Sequence, residues 1–350
     1  MSVKITAVAK ALPPYTRSTD EIMPFLDLWL SGQEDRFARK VRKIFENAAV
    51  DRRYSIMSPE EVFTSTSFEE KNDIYIREVI KLGKTCLEDA LSKAGIGPQD
   101  LDYIITVSCT GIMIPSLDAY LINLLQLRQD IIRLPVTEMG CAAGISGMIY
   151  AKKFLQANPG KRAAVIAVES PTATFQLEDY SMPNIVSAAI FGDGAACVIL
   201  SSHEDDAGPQ ILAEEMYHFY EAEHMMGFRL TNTGLQMILD VEVPDTIAAH
   251  FPAIVHPFLD KHGYRIEDIE HLIFHPGGKK IIQTVEQLFG HMGKNIDETK
   301  EVLRLYGNMS SATVLYVLER FMDREIPAGN KGLMLSFGPG FSAQRILLQW

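Results

Sequence analysis

The chain has 350 residues, 47% of them hydrophobic and 22% charged, with a formal charge of −12. That composition is globular, not disordered; the length allows two domains or one large layered one, and so acidic a chain lacks the basic footprint of a general nucleic-acid binder. No apolar run reaches the ~18 residues of a membrane-spanning helix. The first residues lack the basic-then-apolar order of a signal peptide, so a cytoplasmic protein with no membrane partner is expected. Four cysteines (Cys86, Cys109, Cys141, Cys197) make no CxxC pair and are too few for a disulfide framework. Reduced thiols are therefore expected, and no metal centre.

In chain order, Lys4–Ala11 reads as a strand, and Asp73–Ala94 as a long helix stopped by Gly95-Ile96-Gly97-Pro98. Leu101–Ser108 reads as a buried strand. Leu117–Leu127 and Cys141–Ala157 read as helices, and Arg162–Val168 as a further strand. Alternating β and α segments predict a layered α/β fold.

The two halves of the sequence echo one another. Asp100–Ile105 resembles Asp268–Ile273. Gly140-Cys141 then matches Gly307-Asn308 at nearly the same spacing, and Phe191-Gly192-Asp193-Gly194 matches Phe337-Gly338-Pro339-Gly340. Landmarks in the same order predict a duplicated α/β unit, with halves at residues 1–205 and 206–350. Cys141 and Asn308 would then occupy equivalent helix starts, and His275 would follow the strand equivalent to the one that enters Cys109.

Cys141 lies between a strand and a helix opened by Ala142, Ala143 and Gly144. A helix N-terminus favours a thiolate, and a thiolate is a strong nucleophile for thioester exchange. For Cys86 and Cys197 the reading is a small core residue, the usual fate of cysteine. His275, in Phe274-His275-Pro276-Gly277-Gly278, follows an apolar run and precedes a backbone-exposing turn. Its HxxxH spacing with His271 does not signal metal, because in a strand the two rings stand roughly 13 Å apart at ~3.3 Å per residue. Asn308 reads either as a helix N-cap or as an amide donor to a developing oxyanion. The Gly338-Pro339-Gly340-Phe341-Ser342-Ala343 segment is no dinucleotide loop, because too little chain follows it for a βαβ unit. It reads as a rigid turn at a cavity wall.

Together these segments resemble the type III polyketide synthases, the chalcone and stilbene synthase family, from about Lys4 to the C-terminus. The resemblance is carried by Gly140-Cys141, Ile190–Gly194, His275–Gly278, Gly307–Ala312 and Phe337–Gly340. It implies a thiolase-like duplicated αβαβα layered fold and a homodimer. It implies an acyltransferase in which Cys141 is loaded from a CoA thioester and extended by decarboxylated malonyl-CoA, with His275 and Asn308 as hydrogen-bond donors and no cofactor. Cyclisation would yield a resorcinol, a pyrone or a hydroxynaphthalene.

The resemblance further implies a gate aromatic, Phe191, between tunnel and cavity. Cys109, Thr174, Met237, Ser310 and Pro339 would be cavity residues, and Lys40, Lys43, Gly277, Gly278 and Lys280 would bind CoA. Lys40 and Lys43 lie in a basic island with Arg36, Arg39 and Arg42. Ile114, in the apolar loop Gly111-Ile112-Met113-Ile114-Pro115, would reach the partner's cavity. The chain departs from plant members at Asn47 (for a CoA-contacting Lys), Cys109 and Pro171 (for Thr), and Met237 (for Phe). Ser108-Cys109-Thr110-Gly111 resembles bacterial enzymes that build polyhydroxylated phenols. The alternatives are a ketoacyl-synthase III-like enzyme making one condensation, whose relatives carry Gln-Ala-Asn after the histidine, and a catalytically degenerate subunit of the same fold.

Overall fold

The computed structural model describes residues 2–64, 67–290 and 293–350. Nine strands form one mixed sheet: β1 (Lys4–Ala11), β2 (Tyr103–Val107), β3 (Ile132–Val136), β4 (Arg162–Glu169), β5 (Gly194–Ser201), β6 (Gln210–His218), β7 (His271–Phe274), β8 (Lys331–Gly338) and β9 (Ser342–Gln349). Their spatial order is β7-β8-β9-β6-β1-β5-β4-β2-β3. The helices that matter for the site are α1 (Asp35–Glu46), α2 (Phe68–Ala94), α3 (Ala143–Ala157), α4 (Met182–Ile190), α5 (Val243–Lys261), α6 (Lys279–Gly290) and α7 (Thr313–Met322).

The order is symmetric about the β1–β6 seam. On one side β1 runs antiparallel to β5, β5 antiparallel to β4, and β4 parallel to β2. On the other, β6 runs antiparallel to β9, β9 antiparallel to β8, and β8 parallel to β7. The seam is closed by backbone bonds Ile5 N to Pro209 O and Ile211 N to Val3 O, each 2.9 Å. Only β3, an edge strand, has no counterpart.

Side-chain alternation along the buried strands sorts residues between layers. Ile105, Val165 and Val198 join one core with Ile145, Met148 and Leu315 of α3 and α7. Their neighbours Ile104, Ile166 and Ile199 pack with Val79 and Leu87 of α2. In the second half Ile273, Met334 and Ile346 face the α3–α7 core, whereas Leu272, Leu333 and Leu347 pack with Ile254 and Phe258 of α5. The result is the α–β–α–β–α stack, with α3 and α7 as its shared middle layer. Close approach there needs glycine: a Cβ on Gly144 would stand 2.3 Å from the Ser311 carbonyl oxygen.

Boundaries differ locally from the sequence expectation. α2 starts at Phe68, not Asp73, because Ser67 and Glu70 form a capping box. The helix expected from Cys141 begins at Ala143, after a 3₁₀ turn over Gly140–Ala142. The helix at Leu117 stops at Leu124 rather than Leu127, and the strand expected over Leu101–Ser108 is Tyr103–Val107. No helix among the described residues is long and apolar enough to cross a membrane.

Candidate active site

Two left-handed glycines set up the site from opposite halves. Gly140 (φ +49°) turns the chain into the Cys141 turn and α3, and Gly307 (φ +73°) turns it through Asn308 into a short 3₁₀ turn and α7. Gly140 is irreplaceable on two counts, because a Cβ there would also lie 2.5 Å from Pro339 Cδ.

The Cys141 carbonyl is fixed by the Ser336 hydroxyl at 2.7 Å, and its Sγ donates to Ser310 Oγ at 3.6 Å. Burial pushes the thiol up to about 12; the Ser310 hydroxyl opposes that shift and Glu169 adds to it. His275 follows β7, with its backbone N bonded to Leu335 O at 3.0 Å. Its ring is buried, 4% exposed, and neither ring nitrogen has a hydrogen-bond partner. Burial lowers it to about 3. The resting pair is a thiol and a neutral imidazole, which can take up the thiol proton on one nitrogen and donate from the other. No backbone group among the described residues satisfies this strand-end ring.

The Asn308 side chain is anchored through its oxygen. Its Oδ1 accepts from Ser310 N at 2.8 Å and from the Thr313 hydroxyl at 3.3 Å, which caps the following turn. That fixes the amide orientation and turns Nδ2 toward the cavity, where it donates to Gly277 O at 3.4 Å and stands close enough to Cys141 to oppose the rise of its thiol. Ser310 is itself left-handed (φ +49°).

Cys109 lies beside these groups, its Sγ 3.6 Å from Ser310 Oγ. Its thiol is pushed well up by burial and by Glu169. Glu169, at the end of β4, was not singled out in the sequence. It receives Ser311 Oγ (2.5 Å), Thr110 Oγ1 (2.8 Å), Cys109 N (3.0 Å) and Ser108 Oγ (3.4 Å), yet burial still raises it above the usual carboxylate range. A lone acid closing an apolar strand has no spacing to mark it in the sequence.

Three connected spaces surround these groups. A central cavity is lined by Cys109, Cys141, His275, Asn308, Ser310 and Pro339, with Phe191, Met237 and Gly277 on its walls. An access groove of about 2640 Å³ adjoins it through Ile190, Leu239, Val243, Gly277 and Ile281. Every expected CoA residue lines that groove: Lys40, Lys43, Gly277, Gly278 and Lys280, with Asn47 among them. Behind the central cavity lies a mainly apolar chamber, sharing the wall Pro171, Phe191 and Met237.

Phe191, Thr174 and Ile114 differ in which space they reach. Phe191 divides the central cavity from the rear chamber and does not line the groove, because its backbone follows α4 inward to Asn308. Thr174 lines only the rear chamber, since its hydroxyl is turned back onto Pro171 O at 2.8 Å. Ile114 lines none of the three spaces and is 92% exposed. His271 packs edge-on against Trp350, at the far end of β7 from His275.

Comparison with known proteins agrees with this architecture. Residues 2–204 match the family described as chalcone and stilbene synthases, N-terminal domain, and residues 212–350 match the corresponding C-terminal domain. The chain is 32% identical to a 1,3,6,8-tetrahydroxynaphthalene synthase of Streptomyces peucetius, over 99% of this chain and 93% of the relative. It is 28% identical to a phloroglucinol synthase of Pseudomonas fluorescens, over 88% of each. The crystal structure of 1,3,6,8-tetrahydroxynaphthalene synthase from Streptomyces coelicolor superposes with a TM-score of 0.92 at 27% identity, covering 99% of both chains. With the fold, the duplicated halves and both family matches in accord, the chain belongs to the chalcone and stilbene synthase family and is a type III polyketide synthase, an acyltransferase.

Proposed function

We propose that Cys141 carries the growing acyl chain and that His275 and Asn308 serve the condensation. The thiol adds to the acyl thioester and passes its proton to His275, and the CoA thiolate leaves with that proton. Malonyl-CoA then loses CO2. Its enolate oxygen is held by the neutral His275 ring and Asn308 Nδ2, and its carbon attacks the Cys141 thioester, which expels the Cys141 thiolate and forms a β-ketoacyl-CoA. Reloading onto Cys141 starts another round. Decarboxylation supplies the carbanion, so the cycle needs no resident cofactor.

The observation that carries this reading is that a half-buried thiol, an imidazole with no hydrogen-bond partner among the described residues and a side-chain amide nitrogen face a single cavity. Cys141 comes from the half at residues 1–205, His275 and Asn308 from the half at 206–350. The CoA moiety would sit in the groove at Lys40, Lys43, Gly277, Gly278 and Lys280, and the chain would fold in the central cavity and rear chamber, past Phe191, Met237 and Thr174. The names of the relatives support a polyhydroxylated phenol as product. The working form in this reading is a cytoplasmic homodimer. Intact-mass spectrometry after incubation with an acyl-CoA should show one acyl group on Cys141 in wild type and none in Cys141→Ala. Product analysis with malonyl-CoA should show multiple extensions. An adduct on Cys109 in place of Cys141 would refute the assignment.

A further inference from the structure

Arg53 is a buried cation with no counter-charge. It lies in a short strand, Arg52–Ser55, directly opposite Arg17 of the strand Tyr15–Ser18, and both arginines line the rear chamber. Arg53 is 6% exposed. Its Nε and Nη2 donate to Ala189 O, its Nη1 donates to Thr19 Oγ1 at 2.9 Å, and the Phe45 ring centre stands 5.6 Å from its Cζ. These partners are all neutral, and they take three of the five guanidinium N–H groups. Burial lowers Arg53 to about 10, and no carboxylate acts against that shift. The carboxylate that feels Arg17 is Glu21, which is held in the Ser18 capping box and does not line the chamber.

A second orphan lines the same chamber. Ser187, in α4, is 8% exposed, and its hydroxyl has no hydrogen-bond partner among the described residues. The same holds for Thr16 Oγ1, also in the chamber wall. Ser187 stands two residues before Ala189, whose carbonyl Arg53 holds. Ile22, Met57, Val62 and Phe63 make much of the remaining wall apolar, and no Asp or Glu lines it among the described residues. Capping a helix carbonyl needs a donor, not a charge. An unmatched cation and an unpaired hydroxyl both cost stability in such a space. A plain alkyl tail would use neither, whereas a carboxylate would satisfy both through charge-assisted hydrogen bonds.

We propose that the rear chamber selects a starter with a carboxylate at its far end, an ω-carboxyacyl group delivered as the mono-CoA thioester of a straight-chain dicarboxylic acid. Its methylenes lie against the apolar wall, and its carboxylate accepts from Arg53 and Ser187 Oγ. This rests on the reading of Cys141 as the acylated thiol. The route exists, because the central cavity and the chamber share Pro171, Phe191 and Met237. In the loading step the Cys141 thiol adds to the thioester carbonyl, the bond to the CoA sulfur breaks, and CoA leaves as a free thiol with the proton Cys141 gave up. The far carboxylate takes no part in that exchange, so it bears on which starter is chosen and not on the chemistry.

The test offers the enzyme equimolar pairs of equal chain length, suberoyl-CoA with octanoyl-CoA and sebacoyl-CoA with decanoyl-CoA. The ratio of the two Cys141 adducts by intact mass then reads the ratio of their kcat/KM values. Wild type should favour the dicarboxylic member of at least one pair tenfold or more. Ser187→Ala loses no protein partner, so it should melt as wild type does and cut that preference about tenfold, the usual weight of a hydrogen bond to a charged group. Arg53→Gln should reverse the preference while loading of the plain alkyl starter stays within threefold, which also reports that it folds; if it does not fold, Ser187→Ala decides alone. A wild type that favours the alkyl member of both pairs, or a preference that survives in the folded variants, would overturn the proposal. If no starter loads wild-type Cys141, the reading of the active site itself has failed, and the selection proposal with it.

Discussion

Phe191 and Asn308 are joined through their backbones in a two-residue bridge. Asn308 N donates to Ile190 O at 2.8 Å, and Gly192 N donates to Asn308 O at 3.0 Å. The end of α4 is held in turn by Arg53, whose Nε donates to the orphan carbonyl of Ala189 at 3.0 Å. The residue that separates the cavity from the rear chamber and the residue that presents an amide to the thiol are therefore one rigid piece. The bridge uses main-chain atoms only, so the two side chains can be varied independently.

Phe191→Ala should accordingly open the wall between the central cavity and the rear chamber without disturbing Asn308. Loading of Cys141 by acyl-CoA should stay within about threefold of wild type, and the half-buried ring should cost about 1–2 kcal/mol of stability. Mass spectrometry should show a changed mixture of chain lengths and ring types. An unchanged product profile would mean that the ring does not partition the space.

Asn308 allows its cap and its donor to be separated. Asn308→Asp keeps an acceptor for Ser310 N and the Thr313 hydroxyl and removes the donor at Nδ2. Asn308→Ala removes both. Malonyl-CoA decarboxylation should fall by about 10²–10³ in each, the usual effect of losing one oxyanion donor. Only the alanine variant should also lose the roughly 1 kcal/mol of a cap. Acyl loading should fall far less than decarboxylation, measured as 14CO2 release against intact mass.

His275 gives a pH dependence with a definite sign. Burial favours its neutral form, so its share of stability is fully present above the ordinary histidine value near 6.5 and is lost as pH falls toward about 3. Between about pH 6.5 and 4.5 that loss is roughly 2 kcal/mol. Asp193, held up to about 6 by burial in a nest of donors, contributes with opposite sign over an overlapping range. The test is therefore the wild-type melting temperature minus that of His275→Gln across a pH series. That difference should shrink as the solution is acidified; a constant difference would show that the ring is not held neutral by burial.

The layered fold was legible because its strands are buried on both faces and read as apolar runs, and β1 matches Lys4–Ala11 at both ends. The thiol, the imidazole and the amide were legible because each stands beside a glycine turn at the end of a strand or the start of a helix. The start of α2 was also readable in principle, from Ser67 and Glu70. Glu169 was not, since one acid at the end of an apolar strand has no spacing to mark it. The rear chamber had no sequence signal, because its walls come from Tyr15–Arg17, Arg53–Met57 and Thr174–Ser187, distant in the chain. The position of Phe191 depends on a backbone bridge to Asn308, a pairing no local pattern encodes.

Ile114 is the most exposed large hydrophobic residue after Tyr220, at 92%, and it is not on a loose loop. Asn72 clamps the segment twice, Nδ2 to Ile112 O and Ile112 N to Oδ1, each at 2.8 Å. Ile112 is exposed two residues away, and so is Ile132 on the edge strand β3, whose outer side has no strand partner among the described residues and whose Arg133 donates to Ser116 Oγ at 2.8 Å. An apolar side chain held rigidly in water beside an open sheet edge fits a twofold interface, where the same patch meets itself. If Ile114 crosses that axis, it closes the partner's cavity wall. Ile114→Asp should then shift wild-type dimers toward monomers in sedimentation velocity, because two carboxylates would be buried against apolar surface. Ile114→Ala should remain dimeric and change the distribution of product chain lengths, while acyl loading of Cys141 persists. A wild type that sediments as a monomer at assay concentration and is fully active would leave Ile114 no partner cavity to enter, and the exposed isoleucine would have to be explained some other way.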